Sequence, residues 1–269
     1  MKFAICNETF GDWPVSQGFE MAKKYGYTGI EVAPFTLGES AWEISPQQRA
    51  AYRQCALDHG LEVVGLHWLL AKTSGLHLTT DDVVIRSRTA EYISELAHLC
   101  SDLGGKIMVL GSPLQRNFPA SMSHDTAMEN AASLLSEVVP SLESLGVQIA
   151  IEPLGPQEGN FLNHASQARQ LIKQIGSPQI QLHLDVKAMS SEGQPIEEIV
   201  RANADIMIHF HANDPNRLGP GMGEVDQRPI FRALQEIDYQ GWVSVEVFDY
   251  SPGVETILSQ SMANMRKVI

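Results

Sequence analysis

Short apolar or β-branched runs alternate along the chain with longer stretches whose apolar residues recur at helical spacing. Residues 3–6, 29–33, 62–68, 106–110, 148–152, 181–186, 206–211 and 242–247 are predicted as strands. Residues 14–25, 46–59, 84–103, 125–145, 164–175, 196–203 and 229–237 are predicted as helices, and a last helix starts near Val254. The punctuation agrees. Gly60, Gly104, Gly146 and Gly176 each follow a helical stretch, where a residue without Cβ can take the left-handed conformation that ends a helix. Ser45 before Pro46 reads as an N-cap followed by a first-turn proline.

Alternating strand–helix units predict a parallel sheet, and eight of them in 269 residues predict a closed (β/α)8 TIM barrel of the α/β class. No linker or shift of composition divides the chain, so residues 1–269 read as one domain. The doubly wound alternative wants a glycine-rich loop after the first strand, and Asn7-Glu8-Thr9-Phe10-Gly11 is not one. The longest irregular stretches, 70–82, 112–124 and 212–227, all follow strands. That puts them at the barrel face where such folds carry their sites.

Charge narrows the partners. With 19 Lys and Arg against 32 Asp and Glu, the formal net charge is −13, and no basic run offers a surface for phosphate backbones. No apolar stretch approaches a membrane span, and the first residues lack the apolar core of a signal peptide. Three cysteines without a pairing pattern suit a reducing compartment, so a cytoplasmic location is expected, without nucleic-acid or membrane partners.

Strand alternation then locates the chemistry. In strands five to eight one face is apolar (Ile149 and Ile151; Leu182 and Leu184; Ile208 and Phe210; Val243 and Val245) and must meet the helices. The other face therefore points into the barrel, and it carries Glu152, Asp185, His211 and Glu246 on neighbouring strands. Three carboxylates so close repel, and burying them unpaired costs roughly several kcal/mol each. A divalent cation removes that penalty. Three oxygen donors and one imidazole suit Mn2+ best, with Mg2+, Co2+ and Zn2+ also compatible.

These residues carry a family resemblance. The segments IEPLG (151–155), LHLDV (182–186), HFHANDPNR (209–217) and VSVEVFD (243–249) resemble the xylose isomerase-like TIM barrels, the sugar isomerase and epimerase group, and within it the ketose 3-epimerases. The resemblance implies a metal site on Glu152, Asp185, His211 and Glu246, catalytic proton transfer by Glu152 and Glu246, and substrate contacts from Glu158 and Arg217. It also implies a carbohydrate or polyol substrate and a homo-oligomer, a dimer or tetramer. Two features depart from the epimerases: Ala188 stands where they carry a substrate-contacting histidine, and the loop GPGMGEVD (219–226) differs from theirs.

The chemistry that follows is proton transfer next to a carbonyl through a metal-stabilised cis-enediolate. Exchange on both faces gives epimerisation, relay between adjacent carbons gives aldose–ketose isomerisation, and expulsion of a β-oxygen gives a lyase or dehydratase acting on a keto-sugar, keto-glycoside or inosose. The residues alone leave these open. An endonuclease IV-like repair enzyme would need further histidine ligands where Ala188 and Arg228 stand, and a non-catalytic sugar-binding barrel would have no need of three facing carboxylates. Among the remaining interior residues, His67 and His209 are candidate substrate contacts and Glu31 is another. His183 reads as a hydrogen-bonded core histidine, Cys6 as packing, and Trp68 points away from the interior by alternation.

Overall fold

Parallel pairing runs without a break from the first strand to the last and back to the first. In the computed structural model, which describes residues 1–269, β1 (Lys2–Cys6), β2 (Gly29–Val32), β3 (Glu62–Leu66), β4 (Ile107–Leu110), β5 (Gln148–Ile151), β6 (Ile180–Asp185), β7 (Met207–Ala212) and β8 (Trp242–Val245) form a closed barrel in chain order. Helices α1 (Val15–Tyr25), α2 (Pro46–Asp58), α3 (Val83–Leu103), α4 (His124–Leu145), α5 (Ala165–Ile175), α7 (Ile196–Ala202), α8 (Gln227–Glu236) and α9 (Val254–Arg266) surround it, and a single turn, α6 (Val186–Met189), follows β6. The (β/α)8 architecture expected from the sequence is the one observed.

Local chemistry sets the boundaries. Ser45 caps α2 in a reciprocal box with Gln48, and Pro46 occupies the first turn. Gly104, Gly146 and Gly176 end α3, α4 and α5 at φ values of 90°, 61° and 70°. Strands β2, β3, β5, β6 and β8 end one or two residues earlier than expected, where the chain leaves the ladder to build the site, while β7 runs one residue further, to Ala212. The sequence pattern does not announce α6 or the 3-10 turns Asn7–Phe10, Pro34–Thr36 and Ala41–Glu43.

The outer strand faces, with Ile149, Ile151, Leu182, Leu184, Phe210, Val243 and Val245, join the helices in one continuous apolar core. The barrel interior is layered differently. Ala4, Val64 and Trp242 form a separate apolar plug toward the N-terminal ends of the strands, and Gly29 makes room for the Trp242 ring. Above the plug the interior turns polar: Glu31, His183, His209 and Ser244, then Glu152, Asp185, His211 and Glu246, all buried. Pairing puts His183 beside His209 and Asp185 beside His211, so the two layers stay in register across β6 and β7. No helix is long and apolar enough to cross a membrane.

Candidate metal centre and sugar site

Each member of the quartet leaves the C-terminal end of its strand. Asp185 is the last residue of β6 and His211 lies near the end of β7, while Glu152 and Glu246 follow β5 and β8 directly. Asp185 doubles as the N-cap of α6: its Oδ1 accepts the Ala188 backbone N–H at 2.8 Å, and its Oδ2 accepts from the Asn213 amide. Asn213 Oδ1 in turn accepts the Lys187 backbone N–H at 2.8 Å. His211 Nδ1 lies 3.1 Å from Glu246 Oε2, and its Nε2 lies 3.1 Å from Glu31 Oε1. Glu31 also holds His209 Nε2 at 2.7 Å. A carboxylate on the far nitrogen of an imidazole fixes the ring's orientation and raises its basicity as a ligand.

The electrostatics divide the carboxylates. Burial, then the neighbouring Glu246 and Asp185, push Glu152 well above the usual carboxylate range. Burial also pushes Glu246 upward, but the charge and hydrogen bond of His211 outweigh it and hold Glu246 below the usual value. Burial lowers His211, but Glu31 and Glu246 reverse this and hold it well above an ordinary imidazole. Asp185 is raised chiefly by burial.

The donor set fits a divalent cation. Donor atoms of Glu152, His183, Asp185 and His211 lie within 4.8 Å of one another, and Glu246 joins through its contact with His211. Both nitrogens of His183 are buried without a hydrogen-bond partner, and its Nε2 lies 3.9 Å from Glu152 Oε1. Orphaned imidazole nitrogens beside crowded carboxylates are the environment a cation, or water bound to it, completes.

Above the cluster is an inner cavity of only about 20 Å³, lined by His67, Trp68, Glu152, Lys187, Glu246 and Phe248 among others. It opens into an outer chamber of about 490 Å³ that shares Trp68, Glu158, Lys187 and Phe248 and adds Arg217 and Ser191. Arg217 stands on the rim, its guanidinium donating to the Phe248 carbonyl at 2.9 Å. His67 is held by Glu8 at 2.8 Å, with Nδ1 free of partners.

The structure corrects several expectations. His209 does not line the cavity; it is wholly buried and holds Glu31, which in turn contacts His211. Glu31, offered as a substrate contact, is likewise buried between two imidazoles. His183 is not a hydrogen-bonded core residue. Trp68 turns inward and donates its indole N–H to Glu246 Oε1 at 2.8 Å. The strand ends at Leu66 and Trp68 sits at φ 54°, so alternation no longer governs where it points. Cys6 is packing, as expected, and burial raises its thiol well above the ordinary value. Glu8, Gly111, Arg116, Lys187 and Asn213 were not anticipated. Arg116 is buried below Glu152 and donates to its backbone carbonyl at 2.6 Å.

A closed parallel barrel with a carboxylate–imidazole cluster at the C-terminal ends of its last four strands defines a class of small-molecule enzyme. Within that class, residues 19–268 match the xylose isomerase-like TIM barrel family, and the chain belongs to it. It is 28% identical over 238 residues to a probable ketose 3-epimerase of Synechocystis sp., covering 86% of this chain and 78% of the relative. It is 25% identical over 243 residues to the D-psicose 3-epimerase of Agrobacterium fabrum, covering 88% and 81%. The structure of a D-psicose 3-epimerase from Clostridium cellulolyticum with D-tagatose superposes with a TM-score of 0.86, at 21% identity and covering 100% and 99% of the two chains; it shares the fold.

Proposed function

We propose that the protein is a divalent-metal-dependent sugar epimerase that moves a proton on a carbon next to the carbonyl of a ketose, in the manner of a ketose 3-epimerase. One observation carries the reading. Glu152 and Glu246, from strands separated by β6 and β7, line the same small cavity with their proton affinities pushed in opposite directions. Two carboxyls lining one cavity from separate strands suit proton removal on one face of a substrate and return on the other.

Glu152, Asp185, His211 and Glu246 would hold the cation, for which Mn2+ is our choice on the donor set. When bound, such a cation polarises the carbonyl and stabilises the cis-enediolate left by proton removal. Glu246 is the ionised carboxylate, steadied by Trp68 and His211, and takes the proton from one face. Glu152 lines the same cavity from the end of β5, with β6 and β7 between, where it would exchange a proton with the other face of the substrate. Glu158 and Arg217 in the outer chamber and His67 in the inner cavity are placed to orient substrate hydroxyls. The lyase reading gains no support from the relatives, which are epimerases. Three free cysteines support a reducing, cytoplasmic setting. The exposed Trp42, Val83 and Val84 on one face support self-association.

The test is turnover of a ketose panel by the manganese-loaded protein in D2O. Deuterium should enter at the carbon that is inverted, with the epimer accumulating. Absence of exchange at every carbon, or inversion that retains the original hydrogen, defeats the proposal.

A further inference from the structure

Lys187 takes no part in the scheme above, yet it is the one cationic side chain that lines both the inner cavity and the outer chamber. Its backbone is fixed from two sides. It belongs to the single turn α6, capped by Asp185, and its N–H is tied to Asn213 at the end of β7. Its side chain is only 10% exposed, lies 4.7 Å from the centre of the Phe248 ring and sits 2.7 Å from Glu158 Oε2. That short ion pair with Glu158, together with Asp185, holds Lys187 in its charged form despite burial. The ammonium is therefore charge-balanced by Glu158, which can take only part of its three-donor capacity.

A purely structural tie explains this arrangement poorly. Immobilising a lysine in a mostly buried setting costs side-chain entropy and desolvation, and a single ion pair returns only part of that cost. A cation held where two chambers share their lining makes sense if an oxygen of a bound molecule also accepts from it. No side chain other than Glu158 is within ion-pair distance of the ammonium, so an oxygen entering the cavity can accept from it.

We propose that Lys187 is a substrate-contacting catalytic residue: its ammonium donates a hydrogen bond to a hydroxyl or carbonyl oxygen of the sugar at the neck between the chambers. Glu158 keeps it charged and aimed, and accepts from the adjacent hydroxyl. The pair then reads two neighbouring sugar oxygens, one by donation and one by acceptance. This rests on the sugar-epimerase reading, and the experiment below separates the two.

Lys187→Met and Lys187→Arg are compared with the unaltered protein, all loaded with manganese. Ketose binding and binding of the corresponding hexitol are measured by calorimetry, and exchange is measured in D2O. The methionine variant should bind both ligands on the order of 10- to 100-fold more weakly and lose kcat/KM by at least as much, because a charge-assisted hydrogen bond is removed. Arginine should restore part of the loss. Manganese content and thermal midpoint should stay unchanged, which separates a substrate contact from a structural tie. Binding and kcat/KM within about twofold of the unaltered protein overturn the proposal, as does an unaltered protein that binds neither ketose nor hexitol. If the unaltered protein binds sugars without exchanging protons, the epimerase reading fails, while weakened binding by Lys187→Met still upholds the contact.

Discussion

Replacing Gly111 by alanine tests how closely the position of Glu152 controls the reaction. Gly111 follows β4, and its backbone lies outside the left-handed region, so alanine is acceptable to the chain itself. An added Cβ would stand 1.6 Å from Glu152 Oε2 and 2.7 Å from its Cδ, with nothing but Glu152 among its nearest neighbours. Restoring an ordinary contact forces the carboxylate to shift by about 2 Å from its place. A misplacement of roughly 1 Å at a reacting group already costs about 100-fold. Gly111→Ala should therefore lose at least about 100-fold in kcat, near 2.7 kcal/mol of transition-state stabilisation, and should bind manganese more weakly. Circular dichroism and the thermal midpoint should hardly change. The contrast is Gly65→Ala, whose Cβ would meet the backbone carbonyl of Ile107 at 1.7 Å and should damage the barrel itself. Epimerisation rate, metal content and melting are read on the same preparations. Retention of kcat within about threefold by folded Gly111→Ala would refute the claim that Glu152 acts from the place described.

Three further outcomes follow from the same cluster. Glu31→Gln removes the charge that His209 and His211 share and should weaken manganese binding by about 10- to 100-fold; a metal titration that matches the unaltered protein would contradict it. In the metal-free protein Glu152 keeps its proton to an unusually high pH, because burial, Glu246 and Asp185 all raise it. Cation binding should therefore release a proton and weaken as pH falls, seen as calorimetric heats that depend on the buffer's ionisation enthalpy. With its pKa raised in the folded state, Glu152 contributes stability below its unfolded value and loses it as pH rises through the folded one. Metal-free Glu152→Gln should thus melt higher than the unaltered protein at alkaline pH while lacking activity. Trp68→Phe keeps the ring but removes the N–H from Glu246 Oε1, so kcat/KM should fall about 10-fold or more. The acid limb of its pH profile should move upward, because the charged carboxylate has lost a donor; an unshifted limb would show that the indole only packs.

The part of this site that could be read in the sequence is the part that obeys a period. Strands of a parallel barrel are covered on both faces and usually run continuously apolar, so polar side chains at alternate positions on β5 to β8 stand out. That alternation pointed to Glu152, Asp185, His211 and Glu246; the structure clusters the first three with His183, and Glu246 contacts the cluster through His211. Where the period stops, the pattern carries no direction. Trp68 sits past the end of β3 at a positive φ, Glu8 lies in the 3-10 turn after β1, and Lys187 sits on a single helical turn. Gly111 has meaning only once the position of Glu152 is known, since what matters there is the volume it leaves empty. Parity also could not separate depth: His183 and His209 share a face with Asp185 and His211 but lie one layer lower, and only coordinates distinguish a cavity wall from its foundation.

The foundation explains why the upper layer can hold its charges. A run of contacts leads from Trp68 through Glu246, His211 and Glu31 to His209, all within the barrel. Burial penalises each charge in that run, and alternating sign offsets it: Glu31 lies well below the usual carboxylate range, despite burial, because His209 and His211 face it. Glu152 stands outside that alternation. Its charged neighbours include two further carboxylates, and the positive charge of His211 and Arg116 does not outweigh them and burial. The network is therefore balanced on the Glu246 side and short of positive charge on the Glu152 side. A dication bound between them supplies what the protein's own residues leave missing, and the same imbalance gives the two glutamates unlike proton affinities before any ligand arrives.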